Sequence, residues 1–135
     1  MAEFEWLQRA RRHFGTVWTP VARVHLVDVA GRWRGFVAQV DTCAVVSLLR
    51  RSVADVLGLQ FDRGRRVDMA GVGSGVTIAF VHQLRLRIAS GLEIVTEFAI
   101  AEHEDVPNLL GRVGIFDRLR IEFDPTKHVT RILKP

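Results

Sequence analysis

Strict alternation of apolar and polar positions dominates the C-terminal two thirds of the chain. Val76, Ile78, Phe80, His82, Leu84, Leu86 and Ile88 fall on one side of an extended segment, and Thr77, Gln83, Arg85 and Arg87 fall on the other. A period of two is the pattern of a half-buried strand, which predicts a strand over Val76–Ile88. Leu92–Ile100 repeats it with Glu93 and Glu97 facing out, and Ser90-Gly91 between the two reads as a hairpin turn. Earlier, Val21–Val29 is rich in β-branched residues, Gly31 marks a turn, and Gly35–Val40 runs as a second strand into Asp41. Val45–Leu49 is a short apolar run with the look of a buried strand. Near the end Leu119, Ile121 and Phe123 alternate, Asp124-Pro125 turns the chain, and Val129–Leu133 closes it.

Three segments carry helical spacing instead. Trp6, Leu7, Ala10 and Phe14 predict a helix over Phe4–Phe14, stopped by Gly15. Ser52–Leu57 predicts a short helix with Ser52 as N-cap, Asp55 three residues on, and Gly58 closing the C-terminus. So short a helix is stable only when packed on the sheet. Arg112–Leu119 predicts one or two helical turns. The sum is a mostly-β fold of roughly seven short strands, closed or sandwich-like. A helical extension over 1–19 precedes the β domain of 20–135.

Composition narrows the class. At 135 residues, with 48% hydrophobic and 25% charged residues, the chain has the size and make-up of one globular domain. Cys43 is the sole cysteine, which rules out a disulfide-dependent fold and a Cys-rich zinc site. No apolar run reaches the ~18 residues that span a bilayer. The opening MAEFEWLQRARRHF has no continuous apolar stretch of the secretory kind. The expectation is a cytoplasmic protein with no membrane partner. The formal charge of +4 invites a nucleic-acid reading. The arginines, however, are scattered in small groups, and Arg85 and Arg87 fit the solvent face of a strand, so no nucleic-acid partner is expected. His103-Glu104-Asp105 has ligand-type residues but sits in a polar loop without a metal-binding spacing, and no metal or cofactor is implied.

Three segments point to chemistry when taken together. Val40-Asp41-Thr42-Cys43-Ala44 places an acid between two apolar strands. Met69-Ala70-Gly71-Val72-Gly73-Ser74-Gly75 is a glycine-rich tip, followed by a strand rather than by the helix that a phosphate loop needs. Leu109-Leu110-Gly111-Arg112 places two apolar residues and a glycine before a short helix. In this order and spacing, over roughly residues 20–135, the chain resembles the retropepsin-like aspartic proteases, the single-domain retroviral-type branch of the pepsin clan, and its bacterial members in particular. Those proteins carry Asp-Thr/Ser-Gly-Ala after a strand, a glycine-rich flap hairpin, and a hydrophobic-hydrophobic-Gly motif before a short helix.

The resemblance implies a retropepsin-like closed β-barrel with one or two short helices, and a homodimer that hydrolyses peptide bonds. Asp41 would be catalytic and Thr42, Cys43 and Ala44 would form the active-site loop. Met69, Ala70, Gly71, Val72, Gly73, Ser74 and Gly75 would be the flap, and Leu109, Leu110, Gly111 and Arg112 the structural motif. Of the eight aspartates, only Asp41 has this setting. Its partner would therefore be Asp41 of a second copy, across a two-fold axis. Thr42 would hydrogen-bond across that axis. Val129–Leu133 and the strand after Phe14 are the expected interface strands. One departure stands out: Cys43 replaces the glycine of the family motif. A Cβ and a thiol there would crowd the cleft or strain the backbone. That raises an alternative, a catalytically weakened module that keeps the fold to bind peptides.

Overall fold

The alternation at Val76–Ile88 builds the longest element of the molecule. The structure is a computed structural model describing residues 1–71, 75–89 and 91–135. Its strands are β1 (Ala2–Glu5), β2 (Leu7–Arg11), β3 (Gly15–Thr19), β4 (Val21–Val27), β5 (Trp33–Val40) and β6 (Ser47–Leu49), followed by helix α1 (Arg51–Leu57). After a single 3-10 turn at Phe61–Arg63 come β7 (Arg65–Ala70), β8 (Val76–Ala89), β9 (Leu92–Ala101), β10 (Leu109–Leu110), β11 (Arg120–Asp124) and β12 (Val129–Leu133). Strands β4, β5, β10, β6, β9 and β8 pair in that order, and β8 returns to β4 through His25↔Arg87 and Leu26↔Leu86, closing a six-stranded barrel. Strand β7 pairs only with β8 and extends the hairpin beyond the closure. The closed mostly-β architecture expected from the alternation is the one observed.

The barrel core is filled by the inward residues of these strands. Leu26, Leu86, Phe98, Ile100 and Leu110 are fully buried there, and α1 adds Val53, Ala54 and Leu57. A second, smaller cluster lies on the opposite face of β8 and β9, where Ala79, Ala99 and Ala101 meet Leu48, Val67, Met69 and Val81. The side of β8 opposite its core face is therefore not polar throughout. Its first half is apolar through Ala79 and Val81, and only Gln83, Arg85 and Arg87 turn to solvent in the manner the alternation implies. Leu48, Val67 and Met69 cover that half.

The N-terminal segment departs from the helical expectation. Residues 1–19 are three strands, with no helix over Phe4–Phe14. Strand β1 pairs with β12 from Ala2↔Ile132 to Glu5↔Val129, and β2 pairs with β3 from Leu7↔Thr19 to Arg11↔Gly15. A distant partner for β1 and a hairpin partner for β2 satisfy this backbone and override the helical spacing. The Trp6 amide donates to the His128 carbonyl at 2.9 Å, the Trp6 indole donates to Thr130 Oγ1 at 2.8 Å, and Trp18 stacks on the His128 ring at 4.0 Å. The alternation Glu3-Phe4-Glu5-Trp6 carried the strand signal. Strand β12 lies between β1 and β11, so Val129–Leu133 has both edges paired within its own chain and no edge to offer a second subunit.

Two helix expectations need correction in detail. Ser52 is not the N-cap of α1. That position is Arg50, without a side-chain cap, while Ser52 N–H and Oγ donate to the Glu104 carboxylate at 2.8 and 2.6 Å. These two bonds, the hydroxyl's first, hold the Glu104 carboxyl below its ordinary pKa. Gly58 does end the helix in the left-handed conformation, at φ 73°. Arg112–Phe116 is not a regular helix: Val113 is extended and Gly114 has φ 80°, so the segment is a kinked turn. A side chain at Gly114 would collide with Thr96 Oγ1.

The turn between β4 and β5 is organised by a buried acid. Asp28 Oδ1 accepts from the amides of Arg32 at 2.8 Å and Ala30 at 2.9 Å, and its Oδ2 pairs with Arg32 Nε at 3.2 Å. The Arg32 amide, first among these causes, holds the Asp28 carboxyl below its ordinary value, against the opposing effect of burial. An acid whose folded pKa is depressed stabilises the fold above its unfolded pKa of about 3.9 and loses that contribution as pH falls through the folded value. Denaturant melts against pH are expected to show stability falling below about pH 4. In Asp28→Asn the protein should be less stable at neutral pH and its acid slope shallower. Equal slopes in the two proteins would show that Asp28 has no part in the pH dependence.

Candidate active site

Asp41 sits where β5 leaves the barrel, and two neighbouring strands fix its backbone. The Asp41 amide donates to the Leu110 carbonyl at 3.0 Å, and the Val40 amide to the Pro20 carbonyl at 3.0 Å. Strand β10 runs parallel to β5, with Leu109 beside Gln39 and Leu110 beside Val40. On its other side Leu109 pairs with Leu48 of β6. The Leu109-Leu110 pair is thus wedged between the strand that delivers Asp41 and the strand that follows the Asp41 loop.

The loop itself turns tightly. The Cys43 amide donates to Asp41 Oδ1 at 2.9 Å, and the Ala44 amide approaches the Asp41 carbonyl at 3.3 Å. From below, the Arg112 amide donates to the Ala44 carbonyl and the Val113 amide to the Val45 carbonyl, both at 2.9 Å. Gly111 lies beneath the loop, and its amide donates to Ser47 Oγ at 3.0 Å. A Cβ on Gly111 would stand 2.6 Å from the Val46 carbonyl carbon and 3.0 Å from the Ala44 oxygen. Backbone on backbone leaves no flexible group to move aside, so only glycine fits here.

Above this loop opens a cleft of about 820 Å³. Its near wall carries Asp41, Cys43 and Ala44, and its far wall is the β7–β8 hairpin through Met69, Ala70, Gly71 and Thr77. Leu48, Val46, Val106 and Leu109, all part of the smaller apolar cluster, form its floor and side. Among the described residues that line it, Asp41 is the sole carboxylate, half-buried with its surroundings apolar.

The predicted site residues are therefore brought together around one cleft, with exceptions. Thr42 and Gly75 are exposed and Leu110 is fully buried, and none of the three lines the cleft. Gly111 and Arg112 lie under the loop and act through its backbone. Val72, Gly73 and Ser74 of the expected flap lie outside the described residues. Cys43 is exposed and free, and its φ is not in the left-handed region, so the backbone strain expected from replacing glycine is absent. Cys43 does line the cleft, beside the acid.

Sequence reasoning missed Ser47, Val46, Leu48, Thr77 and Val106. Ser47 had a signal, being the lone polar residue in the apolar run Val45–Leu49. It is fully buried, and its hydroxyl ties β6 to Gly111.

Comparison with solved structures gives a like arrangement. The chain is similar over 98% of its length to a retropepsin-like aspartic protease from Rickettsia conorii, covering 99% of that chain, with a TM-score of 0.62 and 20% sequence identity. The fold is that of the retropepsins. A shorter likeness, over 70% of this chain and 82% of the other, is to EIAV protease complexed with the inhibitor HBY-793, at a TM-score of 0.48 and 22% identity. No protein-family model matches the chain, and no curated protein matches it significantly. The retropepsin fold accounts for the barrel and the β7–β8 hairpin. The chain's own residues account for how Asp41 is held.

Gly111→Ala is expected to destabilise the protein by about 2–3 kcal/mol, the cost of overpacking a rigid site. It should also disturb the Asp41 loop, read as lost protection of the Ala44 and Val45 region in hydrogen exchange. A variant as stable as the parent would show that the loop does not rest on Gly111.

Proposed function

We propose that the protein is an aspartic endopeptidase that acts as a homodimer, with Asp41 of each copy forming a catalytic dyad. The observation that carries the reading is the isolation of Asp41. It is the one carboxylate among the described lining residues of an apolar cleft, and a second acid is needed for this chemistry. A symmetric dimer supplies the same residue twice. Two carboxylates about 3 Å apart cannot both ionise, so they share a proton, and their pKa values belong to the pair. The ionised member takes a proton from a water molecule, which attacks the scissile carbonyl. The protonated member donates a hydrogen bond to the carbonyl oxygen and then a proton toward the departing amine. The apolar floor of Leu48, Val106 and Leu109 suits an extended peptide with apolar side chains near the cleaved bond.

Cys43 favours a second reading, a peptide-binding module with weakened catalysis. Its thiol lines the cleft next to Asp41, where it narrows the approach of a substrate backbone.

Asp41→Asn keeps the size of the side chain and an oxygen to accept from the Cys43 amide, but removes the base. Cleavage of a broad peptide library is expected to fall by at least about a thousandfold in this variant. Undiminished turnover would remove Asp41 from the chemistry. The Cys43→Gly variant is expected to cleave faster than the parent. If both parent and Cys43→Gly are inactive yet bind peptides, the binding-module reading replaces the enzyme. Sedimentation of the parent at micromolar concentration is expected to give about twice the 15.2 kDa of one chain. A species of single-chain mass alone would contradict the dyad.

A further inference from the structure

A second cavity, of about 330 Å³, opens beside the cleft and shares Pro107 with it. Its walls are polar and cationic where those of the cleft are apolar. They carry Arg9 from β2, Gln39 from β5, Arg50 at the start of α1, and Asn108 before β10, with Leu7 and Val37. Neither Arg9 nor Arg50 has a carboxylate within ion-pair distance among the described residues. Nine of the other arginines have one and six do not, so it is the shared cavity, together with the missing partner, that sets Arg9 and Arg50 apart. Glu104, the acid whose charge Arg50 influences, already accepts two hydrogen bonds from Ser52.

The pocket is built rather than incidental. Asn108 Oδ1 accepts from the Arg50 amide at 3.0 Å, and Asn108 Nδ2 donates to the Val37 carbonyl at 3.3 Å, so one side chain ties the helix start to β5. The Gln39 amide donates to the Asn108 carbonyl at 2.8 Å. Arg50 Nε is buried and has no hydrogen-bond partner among the described residues. A buried donor left unpaired is costly, and the arginine that carries it lines the cavity, where a guanidinium is suited to pair with an anion.

We propose that this pocket is a specificity subsite for an acidic side chain of the peptide substrate, with Arg9 and Arg50 as its cationic walls. The inference rests on the reading of the adjoining cleft as a peptide site. A peptide lying along that cleft past Pro107 presents a side chain to the pocket at a position away from the scissile bond. A carboxylate there meets two unpaired guanidiniums and the Gln39 amide side chain. An apolar side chain would leave all three without a partner. Position away from Asp41 makes this a selector of substrates, not a participant in bond cleavage.

The test is a peptide library in which each position away from the cleaved bond is either Glu or Gln, assayed at about pH 6, where a Glu side chain is ionised. Cleavage by the parent protein is read as kcat/KM, and binding of the same peptides is read with the Asp41→Asn protein. The parent is expected to prefer Glu over Gln at one position by about tenfold. Added salt should reduce that ratio, as should Arg9→Gln and Arg50→Gln. Because the readout is a ratio within each protein, a general loss of activity does not mimic the effect. Arg9 is half-buried on β2 and its side chain makes no hydrogen bond or ion pair among the described residues, so Arg9→Gln is a variant with little risk to folding. Cleavage with no acidic preference, or with a preference that both variants retain, overturns the subsite and leaves the protease reading standing. Absent cleavage together with an acidic preference in binding that Arg9→Gln removes supports the subsite on a binding module. Neither cleavage nor charge-dependent binding overturns it.

Discussion

The close approach of Gly111 to the Asp41 loop is the contact on which the rest of the site depends. Strand β10 is only Leu109-Leu110, too short to be stable by its own pairing. It is inserted between β5 and β6, parallel to the first and antiparallel to the second. That insertion completes the barrel, and it also sets the height of the loop above it. The Leu110 carbonyl takes the Asp41 amide, Gly111 lies against the backbone of Val46 and Ala44, and the next two amides reach the Ala44 and Val45 carbonyls. The acid is thus positioned by backbone on backbone, which moves less than side chains do. Precise placement matters for a pair of carboxylates that must share one proton.

The two faces of β8 and β9 divide the labour of the fold. On one face, Leu84, Leu86, Phe98 and Ile100 supply the apolar core that holds the barrel closed. On the other, three alanines in the smaller cluster keep the sheet thin under Leu48, Val67 and Met69. Leu48 and Met69, which rest on those alanines, in turn line the cleft. The cleft is thus lined by the layer that covers this face of the sheet. Asp41 lies at its edge, and the arginine-lined cavity begins where Pro107 ends its floor.

Much of this was legible in the chain. Period-two alternation marks β8 and β9, and the order of Asp41-Thr42-Cys43-Ala44, the glycine-rich tip and Leu109-Leu110-Gly111 points to the Asp41 loop and its support from Gly111. What escaped did so for physical reasons. The N-terminal strands were hidden because Trp6, Ala10 and Phe14 also satisfy a helical spacing. Strand β1 is settled by β12, and the Trp18–His128 stack ties in β3, partners more than a hundred residues away, while β2 is settled by its hairpin with β3. Ser52 looked like a cap, but Glu104 holds it from another loop. The turn at Gly114 could not be read as broken without knowing that Thr96 lies beside it. Arg9 and Arg50 are ordinary surface arginines in a list of residues. Only the fold shows that they face one cavity with no acid between them.

The central claim is that two copies of Asp41 meet. The most direct measurement is the separation of the two Asp41 carboxylates in a crystal structure of the protein without ligand. The account expects a dimer with its two-fold axis between the two loops and the nearest carboxylate oxygens about 3 Å apart, close enough to share a proton. A monomer, or a dimer that leaves the Asp41 side chains on the order of 10 Å or more apart, would put proton sharing out of reach. Either result would contradict the dyad.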